Sequence, residues 1–216
     1  MKGLSQSAHR FTRKLLRDME FCRDVERRVQ AASVLAENLP RTAPDIELLL
    51  TRTPHRLSPE VQYTVLHMLD SLPISHTQVR RLLPTVLHLL ANVNSRTARL
   101  WMKIGCLLGD GFLKYADASA RERILAELVN AVRTANSVHA RKGALHGIEH
   151  ALNHASLGEG KRLLDVLRER ALEDSTLSFR RSAFALLRDG WWWGDSGLPK
   201  LHAYARKLGA TLQYPD

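Results

Sequence analysis

At 216 residues the chain has the length of one ordinary domain or one short repeat array, enough to bury a continuous core. Hydrophobic residues at 44% and charged residues at 25% exclude a largely disordered protein. Lys and Arg number 32 against 22 Asp and Glu, and the formal net charge of +10 points to polyanions or acidic protein surfaces as partners.

In chain order, Met1-Lys2-Gly3-Leu4-Ser5 leads into charged residues, without the apolar stretch of a signal peptide. A helical pattern follows in which a reference residue precedes apolar residues three, four and seven places on. Arg28 stands before Ala31, Ala32 and Leu35, and beyond the breakers Pro40 and Pro54, Gln62 stands before Val65, Leu66 and Leu69. After Pro73 a partner helix carries the stripe Val79, Leu82, Leu83, Val86, Leu87 and Leu90, with Pro84 expected to kink or interrupt it. Asn94-Ser95 breaks the chain before Thr97, which precedes Leu100, Trp101 and Ile104, and Gly109-Asp110-Gly111 reads as a turn and helix stop. Ile124, Leu125, Leu128, Val129 and Val132 mark the next partner helix, ended at Asn136-Ser137. Arg141 then precedes Ala144, Leu145 and Ile148, with breakers at Gly158 and Gly160 and at Asp174-Ser175. Arg180 precedes Ala183, Phe184 and Leu187, and after Trp191-Trp192-Trp193 the stripe Leu198, Leu201, Tyr204, Ala205 and Leu208 predicts a closing helix.

The reference residues are 34, 35, 44 and 39 positions apart. At 3.6 residues per turn each apolar set falls in a stripe about 100° wide, so each segment is a helix with one buried face, and the unit is a helix pair. There is no alternating strand pattern, and no run of about eighteen apolar residues that would span a membrane. The expectation is an all-α chain forming one domain over residues 1–216.

Arg141-Lys142-Gly143-Ala144-Leu145 and Arg180-Arg181-Ser182-Ala183-Phe184 are similar to the second helices of the HEAT-like repeat superfamily, where a basic residue precedes small and apolar positions. The resemblance covers roughly residues 20–190, and Gln62 and Thr97 depart from it where the basic residue would stand. It implies a short right-handed α-solenoid of about five helix pairs whose curved face binds a partner, with no particular chemistry attached.

Candidate chemistry is sparse. His146-Gly147-Ile148-Glu149-His150 matches the H-x-x-E-H pattern of a class of zinc peptidase, and His139 and His154 lie on the same side of the helix. That class needs a further carboxylate from a mixed α/β framework, so the histidines read as a polar face turned to solvent or a partner, and no metal or other cofactor is expected. Cys22 and Cys106 are too few and too far apart for a disulfide framework or zinc knuckle, and read as reduced thiols of a cytoplasmic protein. Trp191, Trp192 and Trp193 cannot all enter one core. One or two of them staple the last helix, and the remaining ring, with Trp192 the candidate, is a stacking or anchoring surface. No phosphate-binding loop, dinucleotide-binding glycine motif or serine nucleophile elbow occurs.

The basic residues divide by angle. Arg28, Arg141 and Arg180 sit within their own apolar stripes and predict a structural ladder pairing with carboxylates such as Asp24 or Asp174. Arg99, Lys103, Lys142, Arg181 and Arg188 lie at the flank or back of the same helices as free charges, the candidate track for nucleic acid or another partner. The expected function is a binding scaffold holding nucleic acid through its phosphates. A protein-binding adaptor, chaperone or inhibitor is the alternative, and an enzyme resembling the HEAT-like alkylpurine DNA glycosylases a further one.

Overall fold

The computed structural model describes residues 59–71, 74–189 and 199–215, with isolated positions between 14 and 34. It is all-α, with no strand among the described residues. Arg28, Pro40, Pro54, Pro73 and the tryptophan run containing Trp192 lie outside the described residues.

The helices begin where short polar side chains can satisfy their first N–H groups. After α1 (Pro59–Ser71), α2 (His76–Asn92) starts at a capping box in which Gln78 N donates to Ser75 Oγ and Ser75 N donates to Gln78 Oε1. A 3-10 turn over Ser95–Thr97, capped by Asn94, leads into α3 (Leu100–Cys106). The chain continues through a π-helical turn, Leu107–Phe112, into the short α4 (Leu113–Tyr115). Asp117 caps α5 (Ala118–Thr134), Ser137 caps α6 (Val138–Ala151), and a Ser156/Glu159 capping box starts α7 (Leu157–Glu173). The last helices are α8 (Leu177–Asp189) and α9 (Pro199–Ala210).

The predicted stripes are the buried faces. Val79, Leu82, Leu83, Val86 and Leu90 of α2 pack with Ile124, Leu125, Leu128 and Val132 of α5, and with Ala144, Leu145 and Ile148 of α6. Leu201 and Ala205 of α9 are fully covered, as the terminal stripe requires, and α9 lies against α7 and α8. Helix neighbours follow a simple order: α1, α3, α6 and α8 touch in succession, α2, α5, α7 and α9 do the same, and the two rows pack on each other. A face buried only against neighbours makes each helix depend on the next.

Three local expectations are corrected. Pro84 interrupts nothing, because it lies on the exposed side of an unbroken α2, where water can meet the carbonyl left without an N–H. Gly109-Asp110-Gly111 is not a helix stop, since the π turn carries the backbone straight through it. Gly158 and Gly160 lie inside the first turn of α7, and Gly160 makes room for α9: a β-carbon there would stand 2.6 Å from Leu201 Cδ2.

The expected ladder is present at Arg141. Its guanidinium lies 3.4 Å from the buried Asp174 carboxylate, donates to Ala135 O at 2.9 Å and Thr176 Oγ1 at 2.8 Å, and rests over the Phe179 ring. One side chain thus joins α6 to the α7–α8 connection.

Candidate functional site

Two helices approach each other closely through glycines. Gly105 and Gly109, on α3 and the π turn, face Gly143 and Gly147 of α6; a β-carbon at Gly105 would stand 2.5 Å from Gly143 O and 2.9 Å from Gly147 N. With no side chains between them, the backbones of the two elements come into direct contact. The residues flanking this seam are therefore pressed together. Cys106 Sγ lies 3.3 Å from His146 Nε2 and 3.2 Å from His150 Nε2.

The cluster has a defined surround. His146 turns Nδ1 toward Glu149 Oε2 at 3.0 Å, an arrangement that places the ring proton on Nδ1 and leaves Nε2 facing the sulfur. The two imidazoles meet edge to face at 4.7 Å, and Trp101 packs its edge on His146 at 5.7 Å. Cys106, His146, Glu149 and His150 are all half-buried. The H-x-x-E-H residues thus face the neighbouring helix, and the expectation of a face turned to solvent or a partner is corrected: a periodicity gives an angle, and the glycine seam brings α3 to that angle.

Burial alone would raise the Cys106 thiol, but hydrogen bonds and charge from His146 and His150 hold it down at about 6. Burial likewise disfavours the charged form of His146, yet its bonds to Cys106 and Glu149, with their charge, raise it to about 9. The two groups thus favour each other's charged forms, Cys106 as thiolate and His146 as imidazolium, more than either would alone. Among the described residues, Cys106, His146 and His150 also form the group placed to hold a metal ion, their donor atoms all lying within 4.8 Å of one another.

The π turn adds a second pair on the same seam. Asp110, on the widened turn, meets His154 Nε2 at 2.5 Å, just beyond the end of α6. Arg121 of α5 holds that segment from the other side, donating to His154 O and forming a bidentate pair with Glu159 at 2.9 and 3.0 Å. The Arg121 guanidinium, with backbone N–H donation at the start of α7, lowers the Glu159 carboxyl to about 2 against burial that would raise it. A depressed folded-state pKa gives stability that is full above the unfolded value of 4.5 and is lost as pH falls from there toward 2. Arg121→Met is expected to lower stability by about 1 kcal/mol at neutral pH and to flatten the acid limb between pH 5 and 2, checked by thermal melts across that range.

The basic residues lie on the same row of helices as this seam. Arg99 is exposed and Lys142 half-buried, and neither has an ion pair among the described residues. Lys103 is not free: it pairs with Asp70 of α1 at 3.5 Å. Arg181 donates to Pro215 O at 3.2 Å and lies over the Tyr214 ring, while Arg188 lies over Phe184 with its side chain exposed. Helical angle predicts which way a side chain leaves its own helix, not what the next element carries.

The convergence of Cys106 on His146 and His150 was missed in the sequence because the residues are 40 and 44 positions apart. The available signal was the pair of G-x-x-x-G spacings at Gly105/Gly109 and Gly143/Gly147, each beside one part of the cluster. Compared with known protein families, characterised proteins and solved structures, the chain matches none.

Proposed function

We propose that the chain is a non-catalytic helical-repeat binding scaffold, a short right-handed α-solenoid of HEAT-like helix pairs, whose α3–α6–α8 row holds nucleic acid through its phosphates. The observation that carries the reading is the scarcity of carboxylates around Arg99 and Lys142. On α5 and α7 three of the six arginines meet carboxylates, in Arg121–Glu159, Arg133–Glu169 and Arg170 with Glu169 and Glu173. From Leu100 to Tyr115 and along α6 the only carboxylates are Asp110 and Glu149, and both are engaged by histidines. Arg99 and Lys142, which have no ion pair among the described residues, therefore contribute positive potential there. Point charges on successive helices suit a polyanion whose phosphates repeat, and they carry no base readout.

The Arg99→Glu, Lys142→Glu double variant tests this. The wild-type protein should bind duplex DNA at low salt with little sequence preference, each neutralised phosphate contributing about −0.9 to the slope of log K against log salt. The double variant should bind all sequences more weakly and flatten that slope by about 2, with an unchanged helical spectrum. Absence of wild-type binding near 50 mM salt, in a range where phosphate contacts are strongest, would overturn the nucleic-acid reading and turn the basic row toward an acidic protein.

A further inference from the structure

Cys106, His146 and His150 bring one sulfur and two nitrogens together from two helices, with every donor within 4.8 Å of the others. A hydrogen-bonded thiol needs only one imidazole, so the second ring, aimed at the same sulfur from one turn further along α6, requires another reason. The position of Glu149 supplies it. A histidine that binds a metal through one nitrogen hands the other to a carboxylate, which fixes the tautomer and ring plane, and Glu149 Oε2 holds His146 Nδ1 in that way at 3.0 Å.

The donor set selects the ion. A thiolate with two imidazoles suits a borderline-soft divalent metal and not the hard cations that require oxygen. Zinc bonds of about 2.3 Å to sulfur and 2.0 Å to nitrogen at tetrahedral angles place S and N roughly 3.5 Å apart. The Sγ to Nε2 separations of 3.3 and 3.2 Å lie within a few tenths of an ångström of that. The scaffold is firm on both sides, since backbone meets backbone at Gly105, Gly143 and Gly147, and Trp101 closes one edge of the His146 ring.

We propose that Cys106, His146 and His150 form a zinc-binding site, with Glu149 as the positioning residue and a fourth coordination place left for water or a ligand from a partner. Three protein ligands with one place open is the composition of an exchangeable site rather than a closed structural one. The site is independent of the basic row, so either proposal can fail without the other.

The test is cobalt(II) titration of untagged, metal-stripped protein, followed by competition with zinc. The expected result is one cobalt per chain, visible d–d bands of tetrahedral form, a thiolate-to-cobalt charge-transfer band, and displacement by an equivalent of zinc. Cys106→Ser should abolish the charge-transfer band and His150→Ala should weaken binding at least tenfold. Glu149→Gln, which removes no ligand, should weaken it about 10- to 100-fold. His88→Ala on α2 should leave binding unchanged. Helical spectra of the stripped variants keep loss of binding separate from loss of fold, and Glu149→Gln is the mildest substitution if the others fold poorly. Cobalt uptake unchanged by Cys106→Ser would overturn the proposal. So would rapid alkylation of Cys106 without metal uptake, which would make the thiolate a nucleophile instead.

Discussion

Gly105→Ala is expected to destabilise the protein by about 3 kcal/mol, even though alanine would ordinarily favour a helix by about 1 kcal/mol. The added methyl would meet Gly143 O at 2.5 Å and Gly147 N at 2.9 Å. Both are backbone atoms, so no rotamer change can relieve the clash, and α3 must withdraw from α6 along the seam. Withdrawal also opens voids beside Leu100, Ile104 and Leu145, which are buried in the present packing. Gly158→Ala is the matched control, because nothing lies within 4 Å of its β-carbon position. That change should be neutral or stabilise by about 0.5 kcal/mol. Urea unfolding of both variants checks the contrast, and equal stabilities would mean that the helices are not in backbone contact.

Asp174→Ala should cost about 3 kcal/mol, although one small side chain is lost. The carboxylate is 4% exposed and accepts from Thr176 N at 2.8 Å while facing the Arg141 guanidinium, itself 12% exposed. Removing it leaves a largely covered cation without its counter-charge and a backbone N–H without its acceptor. The double variant Asp174→Ala, Arg141→Met should therefore be more stable than the single Asp174→Ala protein, since the unpaired charge is gone. Chemical denaturation of the two single variants and the double gives the coupling. Additive losses would mean that Arg141 and Asp174 act separately.

The helical period made most of the fold legible, because a buried helix writes its covered face directly into the spacing of Leu, Val, Ile and Ala. That is why the stripes of α2, α5, α6 and α8 are legible in the sequence, and why Arg141, inside such a stripe, is expected to meet a carboxylate, which the structure shows to be Asp174. Gly109 and Gly111 suggest a stop from sequence because glycine is a common helix terminator. Here Gly109 has a different task, close approach to α6, and the ladder survives as a π turn. Lys103 looks free in the sequence because nothing in α3 answers it; Asp70 does so from another helix. The candidate site was hidden for the same reason. His146 and His150 were visible as a pair four residues apart, but Cys106 looked like an isolated thiol until the glycine spacings set the two helices in register.

The most direct measurement of the central claim, that the glycine seam assembles Cys106, His146 and His150 into one donor set, is X-ray absorption at the zinc edge on the protein carrying one zinc per chain. The predicted first shell has one sulfur at about 2.3 Å and two imidazole nitrogens near 2.0 Å, with the sulfur contribution lost in Cys106→Ser. A shell of nitrogen and oxygen alone, identical in the wild-type and Cys106→Ser proteins, would contradict it.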